Sequence, residues 1–73
     1  MTFAERIETA TQSAHKASAP FMPSIVEIEN AIQPIIVDLL TMPKNEAWHY
    51  IVSSFSHVGY QARAVRMFAK QTA

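Results

Sequence analysis

At 73 residues, with no cysteine and six acids balancing six bases, the chain has the size of one small domain and cannot staple itself with disulfides or thiolate-bound metal. Nearly half of it is hydrophobic (49%) and little is charged (16%), which leaves self-association as the natural reinforcement for so small a core. Zero net charge removes the simplest argument for nucleic acid, and equally the argument for an acidic mimic of it.

In chain order, Thr2-Phe3-Ala4-Glu5 has the pattern of a capping box and predicts a helix. That helix carries Phe3, Ile7, Ala10, Ala14 and Ala17 on one face. Such small side chains bury little area, so the helix must lie on a larger apolar surface. Ala19-Pro20-Phe21-Met22-Pro23 ends it in a stiff corner, with Phe21 and Met22 expected to plug the end of the core. A second capping pattern, Ser24 to Glu27, opens the next helix. Its main stripe is Ile25, Ile28, Ile32, Ile35, Leu39 and Met42, widened by Val26, Ile36, Val37 and Leu40. A helix apolar over so much of its circumference is expected to be central and touched on several sides. Pro34 removes a donor and clashes with the turn before it, so a kink or break is expected there, dividing 24–33 from 34–41.

Met42-Pro43-Lys44-Asn45 reads as a turn, with Asn45 as the cap of the last helix. Trp48, Ile51, Phe55, Val58, Ala62, Val65 and Ala69 alternate three- and four-residue steps, the seam of a helix that packs on others. They predict one uninterrupted helix to Lys70, roughly 37 Å long, with Gly59 midway as a bend or a close crossing. The expectation is an all-α single domain over 1–73: a small bundle of three main helices, the middle one kinked or broken at Pro34, with a long C-terminal helix. No secretory signal is visible at the N-terminus, and the greasiest stretch is broken by Glu27, Glu29, Gln33, Pro34 and Asp38. A soluble, cytoplasmic chain without a membrane span is therefore expected.

Chemistry-bearing residues are few. His49, Ser53 and His57 fall four apart on one flank of the predicted long helix. The outer two are separated by roughly 12 Å along the axis, too far for one metal ion. Ser53 and His57 can touch, but no acid or Gly-rich turn completes a nucleophilic site. Thr11-Gln12-Ser13-Ala14-His15-Lys16, followed by Phe21 and Met22, resembles the proximal-histidine helix of the haem oxygenases. In that family a threonine precedes the haem-ligating histidine by one turn, and the resemblance puts His15 at the ligand position. It covers Thr11 to Met22 and no more. The family's spacing to Phe-Met is longer, Ala19 stands where it has glutamate, and the chain lacks both the Gly-rich distal helix and the length to enclose haem. No cofactor, bound metal or catalytic residue is expected.

After Glu46 the only charges are Arg63, Arg66 and Lys70, on one predicted helix face with Tyr60 a turn before. Met67 falls off the apolar seam beside them. Tyr, Met and Arg exposed together are typical of protein interfaces. The expected function is a small non-enzymatic interaction module: a regulator, adaptor or inhibitor of the kind common among phage and mobile-element proteins. It would dock on another protein through Tyr60, Arg63, Arg66, Met67 and Lys70. Homodimerisation is expected through the long helix or the Ala-rich first one. The alternative is a DNA-associated regulator using the same basic face, against which three bases would neutralise few phosphates.

Overall fold

The computed structural model describes residues 1–72, and among them the chain forms four helices and no strand. Helix α1 spans Phe3–Ser18. Its start is the expected capping box: the Thr2 hydroxyl accepts the Glu5 N–H at 3.1 Å, and the Glu5 carboxylate accepts the Thr2 N–H at 3.3 Å. Two of the orphan donors of the first turn are thereby satisfied. Its buried residues are Ile7 and Thr11. Thr11 can be buried because its hydroxyl donates to the Glu8 carbonyl at 2.9 Å. The helix is rotated slightly from the expected face, and Ala17 lies exposed.

Helix α2, Ile25–Leu39, starts at Ser24, whose hydroxyl oxygen accepts the Glu27 N–H at 3.2 Å. It buries Ile32, Ile35, Ile36 and Leu39 and runs unbroken through Pro34. Of the kink or break expected at Pro34, the break does not occur, for a reason of position. Pro34 and Asn30, whose carbonyl loses its donor, both lie on the exposed side of the helix. Water can take that carbonyl, while the four buried residues on the other side keep the two halves in one helix.

The largest departure concerns the C-terminal half, which is two helices and not one. Helix α3 is Lys44–Ser54 and helix α4 is Val58–Thr72. Pro43, not Asn45, stands at the start of α3, with no side-chain cap. At Phe55 the backbone turns extended (φ −89°, ψ 107°) and the ring enters the core. The Gln61 side-chain amide then donates back to the carbonyls of Ile51 and Val52, at 3.2 and 3.3 Å. These are carbonyls that the end of α3 leaves without helical donors.

Energetics favours the break. A continuous helix keeps about three more backbone hydrogen bonds, each worth roughly 1 kcal/mol net. Folding back buries Tyr60 and Phe68, and each such side chain contributes roughly 1.5–3 kcal/mol. Gln61 recovers part of the hydrogen-bond loss. The interruption also resets the phase. The buried face of α4 is Tyr60, Ala64 and Phe68, whereas Val58, Ala62, Val65 and Ala69 are exposed, Val58 by 78%. A shift of two positions turns a helix about 200°, so the expected seam becomes the outer face.

The helices form a ring in which α1 packs on α2 and α3, and α4 packs on the same two. Arg6 at the start of α1 bonds Asp38 near the end of α2, making that pair antiparallel. Phe3 meets Tyr50 edge-on at 4.9 Å, tying α1 to α3. Trp48 meets Phe68 edge-on at 4.9 Å and closes α3 on α4 as an antiparallel hairpin. The short link from α2 to α3 therefore crosses a diagonal of the ring. Phe21 and Met22 do not plug the core, for both are exposed between α1 and α2.

Truncating Phe68 to Ala is expected to cost about 3–5 kcal/mol, comparable to what a domain this small has in hand. Circular dichroism should show the variant largely unfolded at room temperature. Val58→Ala, which a buried seam position would make destabilising, should leave the spectrum and the unfolding midpoint unchanged.

Candidate functional site

Two surface features bring functional side chains together, and they divide the expected binding residues between them. The first is a cleft of about 220 Å³ where α1 meets the α3–α4 break. Thr11, Gln12 and His15 line it from α1, Ser56 and His57 from the break, and Tyr60 from the first turns of α4. The His15 and His57 rings lie 5.6 Å apart, centroid to centroid, tilted by 49°. His57 in turn stands edge-on to Tyr60 at 5.1 Å. Gly59 lies against that ring: a Cβ there would meet His57 Cε1 and Nδ1 at an ordinary contact distance, 3.4 Å. It neither bends a helix nor adopts positive φ.

Two polar atoms in this cluster, Tyr60 Oη and His57 Nδ1, are buried without a hydrogen-bond partner. Native interiors rarely leave such groups orphaned. Burial pushes the Tyr60 phenol above its ordinary value, and the nearby Glu27 carboxylate adds to the rise. The hydroxyl is thus a neutral donor and acceptor at physiological pH.

The flank expected to carry His49, Ser53 and His57 does not form, because the break takes His57 off the helix. Ser53 spends its hydroxyl on the His49 carbonyl at 2.6 Å, and His49 lies beside Tyr50. Sequence reasoning missed the meeting of His15 with His57. Only a fold-back of α4 brings them together, and no local pattern signals it.

The second feature is a groove of about 320 Å³ between α2 and α4, lined by Arg63, Arg66, Met67, Lys70 and Glu29. Four of the five expected binding residues therefore do share a surface. Arg63 is not free there, since its guanidinium pairs with Glu29 at 3.6 Å. Tyr60 is the correction. It is 1% exposed, with its ring in the core, and it cannot touch a partner from the α4 face.

Ser56 and His57 adjoin, but no carboxylate lines the cleft to orient a base. Among the described residues no group of three His, Cys, Asp or Glu gathers around a point, and no helix is long and apolar enough to cross a membrane.

Replacing Tyr60 by Phe removes an orphaned hydroxyl while keeping the ring, and in buffer alone it should stabilise the fold by about 1 kcal/mol. The pH dependence has a defined sign. A phenol raised in the folded state contributes stability that is complete below pH of about 10 and lost as pH rises through the folded value. Thermal unfolding across that alkaline range should be flatter for Tyr60→Phe than for the parent. No family model, curated protein or solved structure matches this chain, so a functional reading rests on these residues and their geometry.

Proposed function

We propose that this protein is a small non-enzymatic interaction module, that its docking surface is the apolar end between α1 and α2, and that a second copy of the chain occupies it. One observation carries the reading. Phe21 (77%), Met22 (66%), Ile25 and Val26 (64%) are all more than half exposed within six residues of chain. Scattered exposed apolar residues are ordinary, but four large ones grouped so closely along the chain are the mark of an interaction surface.

A second copy is the occupant that the remaining observations favour. No charge interrupts the run from Phe21 to Val26, and the chain carries no net charge that would hold two copies apart. The buried core is small and cysteine is absent, so association is the available reinforcement. A two-fold pairing would leave the outer faces of α4 free, each with Arg66, Met67 and Lys70 to meet a further protein. This replaces self-association through a long C-terminal helix, since α4 folds back on the bundle. A DNA-associated role would have to rest on Arg66 and Lys70, with Arg63 engaged by Glu29.

Sedimentation at low and high salt tests the proposal. The expected result is a dimer insensitive to salt, and a helical monomer for the double variant Phe21→Ser, Met22→Ser. A parent chain that stays monomeric at every concentration contradicts it. Retention on DNA that disappears with added salt and with Arg66→Glu would assign the function to nucleic acid instead.

A further inference from the structure

We propose that the cleft between α1 and the α3–α4 break is a binding site for a divalent transition-metal cation of the zinc class, held by the imidazoles of His15 and His57. The ring separation is the first support. Imidazole nitrogens bind zinc at about 2.0–2.1 Å, which puts two rings sharing one ion roughly 5–6 Å apart between centroids. His15 and His57 stand at 5.6 Å, delivered by separate elements, and each is free of any ion pair.

The second support is independent of that distance. Tyr60, all but wholly buried, lines the same cleft with its hydroxyl unpartnered. Tyr60 serves the site as the wall that packs the second imidazole, meeting the His57 ring edge-on at 5.1 Å, while its hydroxyl is closed to water. The cleft, about 220 Å³, has room for the waters that two protein ligands leave to be supplied.

The donor set selects the ion. Two imidazoles with hydroxyls and no carboxylate suit zinc, copper or nickel, and do not suit calcium or magnesium, which take carboxylate and carbonyl oxygens. Glu8 accepts from Gln12, a lining residue, at 3.2 Å, and Glu27 raises the Tyr60 phenol, but neither lines the cleft. Lys16, next to His15 in sequence, is exposed and does not line the cleft. With only two protein ligands the site is weaker than a structural zinc centre, and it would tie α1 to the α3–α4 break without being required for folding.

The test is calorimetric titration of the chelator-treated protein with zinc alone, followed by the same titration of single variants. One ion per chain is expected, with affinity reduced roughly tenfold or more by His15→Ala or by His57→Gln. His15 is exposed, so its replacement does not endanger the fold. His49→Ala, away from the cleft, should bind like the parent, and Tyr60→Phe should weaken binding less than the loss of either imidazole. Absence of binding overturns the proposal. So does unchanged affinity in His15→Ala, or a stoichiometry of one ion per two chains, which would place the ion between copies.

Discussion

The structure depends on one reversal of the chain, at Phe55 to His57. Two side chains hold it. Phe55 leaves the helical path to enter the core, and Gln61 reaches back to the carbonyls of Ile51 and Val52 that the reversal strands. Without it, the C-terminal half has no way to cover α2 with Tyr60, Ala64 and Phe68, and the apolar side of α2 has only α1 to lie on. A helix pair of this length, with alanines along one member, would not hold together in water. The reversal supplies the fourth side of the ring and the largest side chains in it.

The same reversal brings the two histidines of the cleft together. His57 sits in the turn itself, and folding α4 back carries it to within ring contact of His15, many residues earlier in the chain. Tyr60 arrives with it and is buried with its hydroxyl unmatched. An apolar residue at position 60 would have packed without that penalty, so a core position carries a polar group that stability alone does not call for. The apolar end at Phe21 to Val26 is the complementary case. Those residues lie outside the ring, where burial within one chain is not on offer. One feature is polar where the fold wants apolar, the other apolar where solvent wants polar, and departures of this kind mark sites of interaction.

Much of the architecture was legible locally. The capping pattern at Thr2 and Glu5, the cap at Ser24, the helical period of Ile32, Ile35 and Leu39 and the prolines around Phe21 each fix an element by short-range chemistry. What was not legible came from packing at a distance. A seam from Trp48 to Ala69 with perfect helical spacing is indistinguishable, in sequence, from two shorter seams with a slip between them. Serines at 53, 54 and 56 are the only local hint of an end, and they are tolerated in helices. Pro34 left a kink or a break open, because whether a proline breaks a helix turns on which side of it faces water. The candidate site divides in the same way. Arg63, Arg66, Met67 and Lys70 share a face by helical spacing alone, whereas the placing of Tyr60 and the pairing of the histidines required the reversal.

The most direct test of this account is nuclear Overhauser contact between the Trp48 indole and the Phe68 ring. The reversal places their centroids 4.9 Å apart, whereas one straight helix would hold them about 30 Å apart. Strong cross-peaks between the two rings, with helical amide contacts interrupted from Phe55 to His57, are the predicted result. Absence of those cross-peaks, with helical contacts running unbroken from Lys44 to Lys70, would contradict the fold and the cleft that depends on it.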